Sequence, residues 1–279
     1  MTDEDLLRRL ERFYDALPRE RARVEEFGGL VLFVREGAGW PYYARPRLDA
    51  TTAPSIGDVE AVRARQRTLG VPEAFEWVHQ NNPELLDIAR AAGLSVLEAP
   101  LMVLDPAALP PSATFSDVPI RLLDPDRPGF ADDIALQRAI AGIAFANPGT
   151  TVGFAGSAER NAGAVPPDPA ELAEEREQAR TGRRLSALAE TPAEGALACG
   201  TAMRVGTVAE IVGVGTLPTA RRRGLAAAVT ATLARRLSAD GCDLIFLSAS
   251  SDEVARIYRR VGFRRVGTAC IGEPPGSNV

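Results

Sequence analysis

Between Glu210 and Ala226 the chain reads Glu-Ile-Val-Gly-Val-Gly-Thr-Leu-Pro-Thr-Ala-Arg-Arg-Arg-Gly-Leu-Ala. An apolar strand runs into a proline, then into three consecutive arginines, then into Gly224-Leu225-Ala226 at the head of a long helical pattern. A helix start offers N–H groups without intrahelical partners and the positive end of the helix dipole. Gly224 and Ala226 keep bulk away from that backbone, so a pyrophosphate could approach it closely. Arg221, Arg222 and Arg223 add charge that does not depend on pH. The segment reads as an anion cradle on a strand-to-helix turn. A nucleotide P-loop would need Gly-Lys-Ser/Thr, and the chain has no lysine; a dinucleotide fingerprint would need a glycine where Pro218 stands. An arginine turn that is merely solvated stays open at this point.

Other chemistries are narrowed by composition. The three cysteines, Cys199, Cys242 and Cys270, form no close-spaced pair, and His79 is the one histidine. A zinc cluster is therefore not expected, nor is a Ser-His-Asp or Cys-His nucleophile unless His79 supplies it. The 279 residues carry 32 basic and 37 acidic side chains, a formal charge of −5. A protein that reads phosphates over a broad surface usually has the opposite sign, so nucleic acid is not an expected partner. No apolar run approaches a membrane span and no secretory leader is legible, so no membrane is expected and the location reads as cytoplasmic and reducing.

The elements that must hold the cradle follow from periodicity. Leu6, Leu7, Leu10, Phe13 and Leu17 share one face of a helix from Asp3 to Leu17. Leu30–Val34 reads as a strand, with Trp40–Ala44 as an edge partner limited by Pro41. Then come a helix near Val59–Leu69, a strand near Ala74–Val78, a helix Glu84–Ala92 stopped by Gly93, and a strand Pro100–Leu104. A Pro/Ala/Ser-rich stretch, 106–118, reads as a linker between residues 1–105 and 119–279. Beyond it lie a strand near Ile120–Leu123, a helix near Ala131–Phe145, and an aperiodic stretch Ala146–Pro169 of the kind that is functional or mobile. A polar helix Ala170–Thr181 leads to strands near Leu185–Ala189, Ala196–Val205 and Thr207–Thr216. The helix Gly224–Ala239, strand Leu244–Ser248, helix Glu253–Val261 and strand Arg264–Ile271 complete a mixed α/β (α+β) pattern. Trp40, Tyr42, Tyr43 and Trp77 read as packing of the first half or its interface, with an acceptor pocket as the other use.

Two stretches align without a gap, Phe75–Leu94 and Leu244–Phe263. Glu84 matches Glu253, Ile88 matches Ile257, Arg90 matches Arg259, and Gly93 matches Gly262. Each reads as strand, short loop, helix, glycine stop and hydrophobe, so each half would carry one copy of the same unit. The position of Tyr258 is Ala89 in the first copy.

Arg221-x-x-Gly224-x-Ala226, preceded by an apolar strand and a proline, resembles the acyl-CoA signature of the GNAT superfamily of N-acetyltransferases. The later Ala255-Arg-Ile-Tyr258-Arg-Arg-Val-Gly262-Phe263 resembles that family's second signature, a helix ending in Tyr-x-x-x-Gly-Phe. Order and separation also match, and the resemblance covers roughly Ile120 to Gly272. It implies a GNAT acyl-CoA N-acyltransferase fold in the C-terminal domain (119–279). Through the internal echo, the first half (1–105) would be a partial, degenerate GNAT-like domain without the phosphate turn.

The resemblance also implies a reaction: direct attack of a primary amine on the thioester of acetyl-CoA, which is a co-substrate, with no metal and no covalent enzyme intermediate. Backbone groups of Val214, Gly215 and Thr216 would hold the pantetheine arm and polarise the thioester carbonyl. Backbone N–H groups from Arg222 to Ala226, Gly224 and Leu225 included, would hold the pyrophosphate. Tyr258 would protonate the departing thiolate, and Glu210, in the register of the glutamate base of the histone-acetyltransferase branch, would take the ammonium proton. Ser251 stands where relatives carry asparagine near the cofactor. The acceptor would be a small-molecule or peptide amine, met by the first helix of the catalytic domain and the 146–169 stretch. Whether a homodimer forms stays open. Rival readings are an acyl-CoA-binding sensor without turnover and transfer of a longer acyl group, with room left by Gly213 and Gly215. A Gly224→Glu variant is expected to weaken CoA binding by placing bulk and charge in the cradle.

Overall fold

In chain order the elements of the first hundred residues are α1 (Asp3–Arg19), β1 (Ala22–Phe27), β2 (Leu30–Arg35), β3 (Ala44–Pro46), α2 (Ile56–Leu69), β4 (Phe75–Val78), α3 (Leu85–Ala91) and β5 (Ser95–Leu104). The remainder comprises β6 (Ile120–Leu122), α4 (Phe130–Ala146), α5 (Ser157–Gly163), α6 (Pro169–Arg180), β7 (Arg184–Thr191), β8 (Gly195–Val205), β9 (Val208–Thr216), α7 (Leu225–Ala239), β10 (Leu244–Ser248), α8 (Asp252–Val261) and β11 (Phe263–Glu273). These come from a computed structural model that describes residues 2–37, 39, 41–48 and 50–276. Trp40 lies outside the described residues. The chain forms two compact units: residues 1–101 together with 265–279, and residues 102–264. Thus β5 begins in the first unit and ends in the second, and β11 does the reverse. The Pro-rich stretch 106–118 belongs to the second unit, where Arg235 of α7 donates to the carbonyls of Leu109 and Pro110.

The first unit is built on hydrophobes of its strands and helices, with β2 buried on both faces at Leu30–Phe33. Leu30, Leu32, Phe75, Trp77, Val59, Val62, Leu85 and Cys270 are all at most 2% exposed and form its core. Strand β1, absent from the sequence reading, pairs antiparallel with β2 from Ala22↔Arg35 to Phe27↔Leu30. Its charged residues hid the strand pattern; Glu25 is held by Arg65 at 2.7 and 2.8 Å. The strand expected at an edge starts at Ala44, later than expected, and is not an edge, since it pairs with β2 on one side and β4 on the other. Pro41, just before it, has no N–H to donate, and the Tyr42 hydroxyl accepts from Arg35 at 3.0 Å. The two echo copies share their form: α3 and α8 are each followed by a left-handed glycine, Gly93 (φ +81°) and Gly262 (φ +105°).

Beneath α1 lies a buried charge cluster. Arg45 donates to Glu76 at 2.7 Å, sits 4.0 Å from the Tyr14 ring centroid and is 3.9 Å from Glu11. Glu11 accepts long hydrogen bonds from the Val78 amide (3.4 Å) and Asn81 (3.3 Å). Burial pushes the Glu11 carboxyl up, against the pull of Arg45.

The second unit is a sheet in the order β10-β9-β8-β7-β6, parallel between β10 and β9 and antiparallel elsewhere. Alternation assigns its faces. A Cβ at Gly200 would come within 2.7 Å of Val229 and 3.1 Å of Leu233, so that side of β8 meets α7. On the other side, Gln137 of α4 donates to Thr201, whose hydroxyl lies 3.2 Å from that of Ser186 on β7. Helix α8 packs with α7, and α6 with β7.

A carboxyl whose folded pKa is raised holds its proton more tightly when folded, so its contribution is greatest below the unfolded pKa and is lost as pH rises through the folded one. Replacing Glu11 with Gln should therefore raise the unfolding temperature relative to wild type at pH 7.5. The difference should shrink as pH is lowered towards 4, as read by thermal unfolding across that range.

Candidate functional site

Strand β9 is the structural centre of the candidate site. It pairs with β10 over three rungs only, Leu244↔Val208, Ile245↔Ala209 and Phe246↔Glu210. Past Glu210 the two strands part, although β9 continues to Thr216. On its other side β9 stays paired with β8, but the register moves by one residue between Thr201↔Val212 and Cys199↔Gly215. One extra residue of β9 stands opposite Gly200, which is a β-bulge. Gly213 supplies the left-handed backbone it requires (φ +61°). Residues 212–214 are half-buried where the flanking Ile211 and Gly215 are buried. The parted edge leaves main-chain groups of β9 without a strand partner on that side.

The strand then enters a single 3-10 turn, Pro218–Ala220, and the arginine run. Arg222 has φ +67°, the one positive φ outside glycine among the described residues, and Gly224 follows with φ +76° as the residue before α7. Conformations of this kind turn successive N–H groups towards one concavity. No side chain caps α7, and its first main-chain bond runs from Ala228 to Gly224 at 3.0 Å. The N–H groups from Gly224 to Ala227 are therefore free of intrahelical bonds. Gly224 is required twice over: its φ suits glycine, and a Cβ there would lie 1.9 Å from the carbonyl oxygen of Phe115. The expectation attached to Gly224→Glu changes accordingly, since any side chain at 224 disturbs the fold before it meets a ligand.

The three arginines divide into distinct tasks. Arg221 donates to the carbonyls of Thr151 (3.1 Å), Ala144 (3.4 Å) and Asn147, tying the end of α4 to the turn. Arg223 makes a two-pronged pair with Glu194 at 2.9 and 3.0 Å. Arg222 is exposed. The aperiodic stretch after α4 contains the short helix α5 and is fastened to the turn: Gly153 donates to Pro218 and Thr219 to Ala155, both at 3.1 Å. Glycine at 153 and 156 permits that approach, since a Cβ would come within 3.0 Å of Pro218 or 2.7 Å of Thr219. Thr150 also hydrogen-bonds Glu253 of α8.

The remaining sequence-selected residues fall around the parted strands. Glu210, 7% exposed, stands on the last rung before the separation. It shares the α4 side of the sheet with Thr201, two residues from the rung that Val212 forms opposite it. Tyr258 comes from α8, in the helix layer of the opposite side. It is 7% exposed and edge-on to Phe263, with centroids 6.3 Å apart. Burial pushes its phenol up to about 12, so the group holds its proton throughout the neutral range. Thr216 has a buried hydroxyl without a hydrogen-bond partner among the described residues. Ser251 uses its hydroxyl to cap α8, accepting from Val254 at 3.2 Å. Val214 is half-buried and Leu225 buried. Gly215 leaves no spare room, because a Cβ there would lie 3.0 Å from Ala144. Sequence reasoning passed over Phe115, Glu194 and Cys199; none lies within a periodic or motif signal, and their positions depend on tertiary approach. Among the described residues no group of His, Cys, Asp and Glu could hold a metal, and no helix is long and apolar enough to cross a membrane.

Comparison with known proteins is consistent with this geometry. Residues 191–271, from the β7–β8 turn to β11, match the FR47-like protein family. No curated protein matches the chain. Among solved structures, a GCN5-related N-acetyltransferase from Kribbella flavida is similar with a TM-score of 0.68 and 22% identity, over 98% of this chain and 97% of that one. A GCN5-related N-acetyltransferase-like protein from Streptococcus suis 89/1591 gives a TM-score of 0.54 at 12% identity, over 98% and 99% of the two chains. A tandem GNAT protein from the clavulanic acid biosynthesis pathway gives 0.51 at 14% identity, over 87% and 77%. At these identities the likeness is one of fold, and the fold is that of GNAT acyltransferases.

The double constraint on Gly224 gives a direct test. Gly224→Ala should destabilise the protein by about 2–4 kcal/mol, from left-handed strain together with overpacking. Gly241 also has positive φ (+87°) but nothing within 4 Å of its would-be Cβ, so Gly241→Ala should cost only about 1 kcal/mol. Denaturant unfolding of the two variants measures the difference.

Proposed function

We propose that this GNAT-superfamily chain is an N-acetyltransferase that moves the acetyl group of acetyl-CoA directly to a primary amine. The observation that carries the reading is the parting of β9 from β10 immediately before an uncapped, arginine-rich helix start. Extended main chain with unsatisfied polar groups suits an amide-bearing arm such as pantetheine. The helix start with Arg222 suits a pyrophosphate. The two lie in sequence on one strand and turn, as the two parts of one coenzyme would require.

Each step then has a residue. Val214 and Thr216 bond the pantetheine through the main chain, and an amide at the bulge meets the thioester carbonyl. The amine nitrogen attacks that carbon, negative charge builds on the carbonyl oxygen, and the amide hydrogen bond strengthens as it does. The C–S bond breaks, the departing thiolate takes the Tyr258 phenolic proton, and the proton that the nitrogen sheds as the amide forms passes through solvent to restore the phenol. Glu210, directly or through water, takes the ammonium proton before attack, freeing the nitrogen lone pair, and releases it to solvent. Tyr258 and Glu210 belong to opposite faces of the sheet, which suits one group serving the leaving sulfur and the other the incoming nitrogen. The acceptor enters on the α4 side, past the fastened stretch after α4. The net negative chain gives cationic amines a slight preference. The first half serves as a degenerate GNAT-like domain without a phosphate turn.

A calorimetric titration with acetyl-CoA, desulfo-CoA and adenosine diphosphate tests the reading. Micromolar binding that needs the pantetheine arm supports it, and absence of binding by all three ends it. Tyr258→Phe should lower turnover by about 10²–10⁴-fold while acetyl-CoA affinity stays near that of wild type. If the variant turns over normally, Tyr258 has no part in the chemistry; if it is inactive only because it no longer binds, its role is structural. Binding by wild type with no turnover across an amine panel would favour a sensor.

A further inference from the structure

We infer that the Cys199 thiol is a positioning group for the main chain of Val214, fixing the amide that meets the acyl carbonyl; the inference rests on the acyl-transfer reading above. Cys199 is fully buried on β8 and stands opposite Gly215, beside the point where the β8–β9 register shifts. Its Sγ donates to the carbonyl oxygen of Gly213 at 3.5 Å. The amide of Gly215, on the rung opposite Cys199, also faces β8. The sulfur therefore fixes the Gly213 end of the bulge Gly213-Val214-Gly215, while the rung to Cys199 fixes its Gly215 end.

The consequence for Val214 follows from peptide geometry. In a trans peptide unit the C=O and N–H point in opposite directions, and no peptide bond here is cis. The Gly213 carbonyl aimed at Cys199 turns the Val214 N–H away from β8. The Gly215 amide facing β8 turns the Val214 carbonyl away from β8 as well. Away from β8 is the side on which β10 has already parted from β9. Both polar groups of Val214 are thus presented to the opened edge, a donor for the acyl oxygen and an acceptor for an amide of the pantetheine arm.

The sulfur is suited to this task by its surroundings. Burial pushes the thiol up to about 12, so it remains a donor at neutral pH and is not a nucleophile. The half-chain position matters too: Gly200, opposite the bulge, presents its α-carbon to α7, and a side chain there would strike Val229. Support from β8 must then come from the other face, where Cys199 stands.

The test compares Cys199→Ala and Cys199→Val, which lack a donor, with Cys199→Ser, which keeps one. The valine variant fills the space of the sulfur and carries the comparison should the alanine variant not fold. Cys242→Ala, in a buried cysteine away from the strand opening, controls for loss of a core sulfur. The readouts are calorimetric affinities for acetyl-CoA and for CoA, and the infrared carbonyl band of bound acetyl-CoA labelled with carbon-13 at the carbonyl.

In wild type the bound carbonyl band should lie below its value in free solution. In the donor-less variants it should return towards that value, and the acetyl-CoA:CoA affinity ratio should fall about five- to tenfold, the loss of one hydrogen bond. CoA affinity itself should hold, and serine should restore both signals. A wild-type band position in the alanine or valine variant overturns the inference. So does an equal loss of both affinities, which marks a purely structural sulfur. A wild-type protein that binds neither ligand overturns the acyl-transfer reading itself, and the inference with it.

Discussion

A strand inside a sheet owes its main-chain hydrogen bonds to two neighbours, and β9 pays only one of them along its whole length. The rungs to β8 continue past the bulge, whereas those to β10 stop at Glu210. A buried main-chain group without a partner costs free energy comparable to a lost hydrogen bond. The opening must therefore be enforced by packing elsewhere. The enforcement is visible in the small residues around it. Gly215 lets Ala141 and Ala144 of α4 press on one face, and Gly200 lets Val229 and Leu233 of α7 press on the other. With helices set this close on both faces, the strand keeps its bulge and cannot relax into an ordinary ladder.

The same logic governs the turn that follows. Three adjacent arginines look alike as text, yet Arg221 holds the backbone after α4, Arg223 is held by Glu194, and Arg222 points to solvent. Charge at the helix start is thus delivered mainly by oriented main chain, with a single guanidinium beside it. Main-chain donors need no rearrangement to meet an anion, because the turn is already clamped by Phe115, Pro218 and the Gly153–Gly156 segment. A site assembled this way is rigid before any ligand arrives, which lowers the ordering cost of binding.

Much of this was legible in the residues because the relevant signals are local. Helix periods, the glycine stops at Gly93 and Gly262, and the strand–proline–arginine–glycine order each depend on neighbours within one turn or strand. The elements around Glu210, Gly224 and Tyr258 accordingly lie within two or three residues of their expected bounds. What was not legible depends on contacts far apart in sequence. Strand β1 alternates charges with few hydrophobes and is stabilised by Arg65, 40 positions away from Glu25. The stretch after α4 looked free because its fasteners are Arg221 and Glu253. The second demand on Gly224, the carbonyl of Phe115, comes from a segment whose composition suggests only a linker. Nothing near Cys199 in sequence announces a bulge on the opposing strand.

The division of the chain into units carries a consequence of its own. The first unit takes residues 265–279 from the far end of the polypeptide, where Ala269–Gly272 pair with Phe75–Val78 and Cys270 joins the core. No cut between residues 102 and 264 leaves that unit whole. A first half that lacks the arginine turn is for this reason not separable by one cut: its last strand is encoded beyond residues 102–264. Deleting the early part of the chain would strand that final segment without a partner, an exposed edge open to pairing with other chains. The order in which the strands are written thus makes the first unit depend on both ends of the chain.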